Sequence, residues 1–358
     1  MERAFGVSDP FTVGLEEELF LVDPGTRLLR PHSEALLDRL RLGERAGHEA
    51  YAAQLELRSP PCDRVEAAAA SLAAAREAAR DAGGTLLGAG LHPAGEFGAV
   101  ELVDTERYRR VGAEMRGLIR RTPEGALHVH VGMPDERAAV EAHNALRAAL
   151  PLLQGLAASS AFWFGADSGM ASARAALVRA YPGRGVPEPL RDLDEWDERV
   201  KAAVQGGGPE DYTLLWWDVR LHPRLGTVEL RELDAQSRLA DVASLAALAR
   251  GLARRAAERG AGRAASGDSL SWSAFRAARD GLRAEILHDG RLLPLREAAR
   301  SAVEAVRPYA REQGDEDALE GIEHVLAGGA GADRQRAAHA SGGMEELLRS
   351  LVKETAGG

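Results

Sequence analysis

Segment after segment of this chain alternates aliphatic with ionisable residues, and that pattern restricts its fold more than any other feature. Side chains two positions apart on a strand share a face, about 7 Å apart, so alternation sorts each segment into two chemistries. In Gly14-Leu15-Glu16-Glu17-Glu18-Leu19-Phe20-Leu21, Glu16 and Glu18 share one face while Leu15, Leu19 and Leu21 share the other. Glu56 lies beside Gln54 and opposite Ala53, Leu55 and Leu57. His128 and His130 project together, away from Leu127, Val129 and Val131. Glu229 and Arg231 lie opposite Val228 and Leu230, and Arg220 shares a face with His222. A half-buried antiparallel sheet with one solvated face accounts for the alternation. It does not account for the residue types, because glutamates repeated on neighbouring strands repel one another unless something cationic lies between them. Oxygen-rich groups with one histidine suit Mg²⁺ or Mn²⁺, and two or more such ions let an acidic protein hold a polyphosphate.

Taken singly, the motifs leave alternatives open. Glu16-Glu17-Glu18 also suits a charged edge strand. His128-Val129-His130 occurs in metal-dependent hydrolases and as an ordinary core or surface pair. Trp216-Trp217 and Phe162-Trp163-Phe164 read as core aromatics. Arg174, which follows Ser172, reads as a helix-surface arginine unless a substrate carboxylate meets it.

Strands are expected over 12–22, 52–57, 85–91, 126–131, 217–222 and 227–233, the last two joined as an antiparallel hairpin by Pro223-Arg224-Leu225-Gly226. Helical periodicity covers 34–42, 64–82, 106–121, 136–150, 189–204, 238–258, 273–287, 295–312 and 344–352. The class is therefore α+β, one domain over 1–358 whose last third, from about 236, is helical. Glycine-rich stretches at 206–209, 260–267 and 328–331 read as loops, and none continues as a phosphate loop.

Charge narrows the function. With 45 basic against 55 acidic residues and a net charge of −10, the chain has no general attraction for nucleic acid or an anionic membrane. Lys201 and Lys353 are its only lysines, which disfavours Schiff-base chemistry. One cysteine, Cys62, forms no internal disulfide, and no basic-then-apolar leader opens the sequence, so a cytoplasmic location is expected. The uncharged run 148–166 is interrupted by Pro151, Gln154 and Gly155 and reads as a buried helix, not a membrane span.

The ordered set is more specific than its parts. Gly14-Leu15-Glu16-Glu17-Glu18, Glu49 followed seven residues later by Glu56, Leu127-His128-Val129-His130-Val131-Gly132, Trp217-Asp218-Val219-Arg220 and Gly226-Thr227-Val228-Glu229-Leu230-Arg231 together resemble the glutamate-cysteine ligase type 2 family of carboxylate-amine ligases. The resemblance spans about residues 12–234. It implies a fold similar to that of glutamine synthetase and guanidino kinases, a curved, mainly antiparallel sheet forming an active-site funnel with flanking helices. It also implies ATP, Mg²⁺ or Mn²⁺, amino-acid and amine substrates, and a homodimer. Carried over residue by residue, Glu18, Glu49 and Glu56 hold one ion, Glu16, His128 and Glu229 another, and Arg231 faces the transferring γ-phosphate. Arg220, Arg174 and His130 are assigned to substrate or ATP. Glu49 is out of parity with Glu56, so a bend near Tyr51 is required. Ala53 stands where relatives commonly carry serine, and Phe164 where arginine often follows the Phe-Trp pair; both bear on substrate specificity.

The expected activity is amide formation through an acyl phosphate, with glutamate as donor and cysteine or another amine as acceptor, and 182–190 as a lid or interface loop. A metal-dependent hydrolase built on His128 and His130 would want further histidines or a bridging lysine, and no lysine is placed for it. A catalytically idle nucleotide-binding relative is the third reading, and the intact carboxylate set argues against it.

Overall fold

Alternation at period two becomes a seven-stranded antiparallel sheet. The computed structural model describes every residue except Met1, Glu2, Ser8, Ala99, Glu210, Arg263 and Gly358; Arg263, within the loop expected over 260–267, lies outside the described residues. At the centre, β1 (Val13–Leu21) pairs with β3 (Gln54–Arg58) on one side and β5 (Ala126–Gly132) on the other. The sheet continues from β3 to β2 (Ala46–Gly47), and from β5 through β9 (Thr227–Asp234) to β8 (Val219–His222), while β4 (Leu86–Leu87) pairs with the end of β1. Two ribbons stand apart, β6 (Phe162–Trp163) with β7 (Ala166–Asp167) and β10 (Glu285–His288) with β11 (Arg291–Pro294).

Register aligns the ionisable residues in rows. Glu16 lies opposite Arg58 on one side and His128 on the other, and Glu18 lies opposite Glu56. His130 lies opposite Gly14 and Glu229, and Glu229 opposite Arg220.

The aliphatic face carries Leu15, Leu19, Leu55, Leu57, Val129, Val131, Val228 and Leu230, all fully buried. Helices Val65–Asp81, Glu136–Leu156 and Leu239–Arg259 cover it, and Leu295–Gln313 and Glu316–Gly328 pack behind the last of these. Strand β1 also sends a charge to this side. Glu17 is fully buried and takes two hydrogen bonds from Arg76, at 2.8 and 2.6 Å. The remaining Arg76 donors reach the carbonyls of Gln236 (3.0 Å), Ser237 (2.8 Å) and Thr355 (3.2 Å). One guanidinium thus ties β1 to the end of the C-terminal helix Gly331–Thr355.

Several expected boundaries shift, each for a local reason. The helix expected over 273–287 runs from Gly267 to Asp280, because Gly281 adopts φ +56° and a Cβ there would lie 2.8 Å from that of Ala171. The chain then enters β10. The helix expected over 106–121 ends at Met115, where Arg116 takes φ +48°. The expected strand 85–91 shrinks to Leu86–Leu87, since Gly88 and Gly90 pack against the Gln236 carbonyl and the Asp234 carboxylate, leaving no room for a pairing side chain. The run 148–166 is helical only to Leu156; Ser159 and Ser160 then turn to donate to Asp234, each at 2.8 Å. Helix Glu316–Gly328 was not expected, and the C-terminal helix starts at Gly331 with a kink at Gly342 and Gly343. Among the described residues no helix is long and apolar enough to cross a membrane.

Candidate active site

The polar face of the sheet forms the floor of a cavity of about 540 Å³. Lining it are all ten residues singled out in the sequence: Glu16, Glu18, Glu49, Glu56, His128, His130, Arg174, Arg220, Glu229 and Arg231. Strand alternation delivers Glu16 and Glu18 from β1, Glu56 from β3, both histidines from β5, Arg220 from β8, and Glu229 and Arg231 from β9. Glu49 arrives by a turn at Tyr51, whose carbonyl accepts from the Gln54 N–H at 3.0 Å, the break in period that its parity demanded. Ala53 and Phe164 do not line the cavity.

His130 is the best placed of the imidazoles. Its Nδ1 lies 3.0 Å from Thr227 Oγ1, which orients the ring, and its Nε2 lies 3.7 Å from both Glu16 Oε1 and Glu229 Oε1. Among the described residues this trio is the one whose candidate ligand atoms all fall within 4.8 Å of one another. The sequence placed His128 with Glu16 and Glu229 instead. His128 does reach them, with Nδ1 3.3 Å from Glu16 Oε2 and 4.0 Å from Glu229 Oε1, but its Nε2 faces Glu18 at 3.6 Å. His128 therefore stands between the two groups of carboxylates, and both Nε2 atoms are buried without a hydrogen-bond partner.

Electrostatics divides the carboxylates. Burial pushes Glu229 upward, but Arg220, at 2.9 and 2.7 Å, and Arg231, hydrogen-bonded to it, outweigh burial and hold it well below the usual range. Burial likewise opposes the ionisation of Glu16, and the two histidines overcome it, holding that carboxyl low as well. The other group goes the opposite way. Burial and the charge of Glu49 push Glu18 up to about 8, and burial with Glu16 and Glu49 drives Glu56 well above its ordinary value despite its ion pair with Arg58. Burial, joined by Arg231, lowers His128 to about 4, so its ring is neutral near pH 7 and available as a ligand.

A second charged layer was not legible by alternation. Between β5 and β9 the register slips, so that the three residues Leu127–Val129 face the four from Leu230 to Leu233. This bulge keeps Leu230 and Leu233 both in the core and turns Glu232 toward Arg179 (3.8 Å) and Arg184 (3.9 Å). Arg174 joins this layer, which corrects the surface reading. It is 1% exposed, donates to the Glu232 carbonyl at 3.2 Å and lies 3.6 Å from Asp234. Tyr51, Tyr108, Tyr181 and Trp216 also line the cavity, so Trp216 faces it instead of serving only as core.

This architecture is shared with solved ligases. A glutamate–cysteine ligase of Francisella tularensis, determined in complex with AMP, superposes with a TM-score of 0.72 at 12% identity, covering 98% of this chain and 89% of that one. A bifunctional glutathione synthetase from Pasteurella multocida gives 0.72 at 16% identity, covering 97% of this chain and 52% of that one. Similarity in sequence is closer to "Putative glutamate--cysteine ligase 2-3" of Rubrobacter xylanophilus, 39% identical over 99% of this chain and all of the relative (100%). "Putative glutamate--cysteine ligase 2" of Roseiflexus castenholzii is 33% identical over 97% of this chain and 95% of that relative. Residues 12–354 match the family described as glutamate-cysteine ligase family 2, and the chain belongs to that family. It is accordingly an ATP-dependent ligase.

Proposed function

We propose that the protein joins the side-chain carboxylate of glutamate to an amine, cysteine being one candidate acceptor, by way of an acyl phosphate. The observation that supports this most directly is the convergence on one cavity of paired carboxylate groups, the imidazoles of His128 and His130, and Arg231, with no cysteine, serine or lysine among the described lining residues. In the reaction, a donor carboxylate oxygen attacks the γ-phosphorus of ATP and ADP leaves. The amine nitrogen then attacks the acyl carbon, inorganic phosphate leaves, and the amine gives up a proton.

The residues present suit divalent cations: carboxylates that repel one another, and two buried imidazole nitrogens without partners. Glu16, His130 and Glu229 would hold one ion, with His128 adjacent, and Glu18, Glu49 and Glu56 a second. Bound Mg²⁺ or Mn²⁺ supplies neutralisation of triphosphate charge. The chain's own residues then orient the reactants. Arg231, fixed by its bond to Glu229, directs a planar guanidinium at the equatorial oxygens, Arg220 holds Glu229 from the other side, and Arg174 faces the substrate. A screen of amino acids against amines for phosphate release in Mg²⁺ tests the reading. Release that needs both a donor and an amine, and disappears with chelator, supports it; release by water alone, or none with any pair, refutes it.

A further inference from the structure

The carboxylates of the cavity differ in what meets them. Glu16 faces both histidines, and Glu229 is held by Arg220 and Arg231. Glu49 accepts from the Ala50 N–H at 2.8 Å, and Glu18 from the Ala126 N–H at 2.9 Å. Glu56 is met by Arg58, two residues further along the same face of β3, a residue that the mechanism above does not use. Among the described residues, no other arginine and no lysine is ion-paired with any member of the group Glu18, Glu49 and Glu56.

Register sets the placement of this guanidinium. Arg58 stands opposite Glu16 on β1, one row from the Glu18–Glu56 pair. Its Nε lies 3.9 Å from Glu16 Oε1 while Nη2 bonds Glu56, so the charge sits between the two groups of carboxylates and lines the cavity. Gly47, opposite Glu56 on β2, leaves room for it, since a Cβ there would lie 3.1 Å from both terminal nitrogens.

Little holds Arg58 in this position. Its side chain is 35% exposed, against 11% for Arg231 and 4% for Arg220. Its Nη1 donates to the backbone carbonyl of Glu44 at 3.0 Å, a bond open to solvent. A pair with one partner largely in water is weakly held, unlike the sealed pair of Arg76 and Glu17. We infer that Arg58 is a tethered counter-ion that competes with a divalent cation for Glu56 and so sets how tightly the group Glu18, Glu49 and Glu56 takes its ion. The inference rests on the reading above, in which that group holds the second ion. A cation bound there meets the repulsion of the guanidinium and has to displace it from Glu56.

The test follows Mn²⁺ binding to the nucleotide-free protein through the paramagnetic resonance signal of the free ion. The wild-type protein should show two classes of site, the second weaker by about tenfold or more, and Glu56→Gln should abolish the second. Arg58→Met should tighten the second class by about tenfold or more while the first changes by less. Arg58→Gln should repeat that result if the methionine variant melts early, and Arg58→Lys, which keeps the charge, should stay within about threefold of wild type. The inference is overturned if the methionine and glutamine variants bind the second ion no more tightly than wild type, if the lysine variant shifts as far as they do, or if both classes tighten equally. A wild-type protein with a single class, or a second class that survives in Glu56→Gln, overturns it as well. Phosphate release keeps the two ideas apart. A second ion that tightens on loss of Arg58, in a protein that turns over no donor–amine pair, refutes the ligase reading and leaves the counter-ion standing; turnover with a second ion indifferent to Arg58 refutes the counter-ion alone.

Discussion

Glu17 and its neighbours Glu16 and Glu18 are consecutive in sequence and opposite in circumstance. Glu17 points to the helix-covered side, where Arg76 meets both its oxygens and backbone carbonyls take up the remaining donors of that arginine. Glu16 and Glu18 point to the cavity, where carboxylates crowd one another and two imidazole nitrogens lack partners. A buried charge fully met by the protein holds the fold together; one left partly unmet is poised for something that binds.

The sharpest way to break this contrast is to remove one arginine from each side. Arg231→Ala should lower phosphate release by roughly 10³-fold or more, and Arg231→Lys by roughly 10²- to 10³-fold, because an ammonium cannot reproduce the planar fork. Both should melt close to the wild-type temperature; normal turnover in the alanine variant would remove Arg231 from the mechanism. Arg76→Met should do the reverse, costing about 3–5 kcal/mol in urea unfolding because it strands Glu17 as an uncompensated buried charge. Pairing it with Glu17→Leu should recover much of that loss, and no recovery would show that the carbonyl contacts of Arg76 matter more than the ion pair.

Within the cavity, the histidines sharpen the comparison. His130→Ala should raise the Mg²⁺ concentration for half-maximal turnover by roughly 10- to 100-fold, more than His128→Ala does. The opposite order would restore His128 to the Glu16 and Glu229 group.

The smallest effects are slopes with pH, of opposite sign on the two sides. His143, in the helix Glu136–Leu156, is buried and its pKa is pushed down to about 4. Its unfolded value is about 6.5, so the unfolded chain binds the proton first, and stability is lost as pH falls from about 6.5 to about 4, by up to about 3 kcal/mol. Glu18 is raised to about 8, so in metal-free protein stability is lost as pH rises from about 4.5 toward 8. Unfolding curves across this range should show His143→Gln flattening the acid side and Glu18→Gln, or added Mg²⁺, flattening the alkaline side. An unchanged alkaline slope in Glu18→Gln would locate the strain elsewhere.

Period two carried the sequence reading far, and it failed where the backbone departs from period two. On β1, β3, β5 and β8, each side chain assigned to the polar face lines the cavity, because none of these strands takes up the extra residue. On β9 the bulge turns Glu232 toward arginines, and nothing in Leu230-Arg231-Glu232-Leu233 marks where an extra residue will be taken up. Arg174 and Arg184 were obscure for a different reason. Arg174 comes from the short helix Ala173–Leu177 and Arg184 from an irregular loop, the position of each depends on long-range partners such as Asp234 and Asp218, and no local pattern encodes those contacts. The choice between His128 and His130 was equally out of reach, since both share a face and only the Thr227 contact on another strand separates them.

The Arg76 junction also bears on when this enzyme can come into being. It joins residues 59 and 279 positions apart, Glu17 near the start of the chain and Thr355 near its end, with Gly88 held there by the Thr355 hydroxyl at 2.9 Å. Contacts of such long sequence separation form late, because the loop must close before the contact rewards it. During synthesis, then, Glu17 is made well before Thr355, and the junction that ties its strand to the C-terminal helix closes only once that helix has been made.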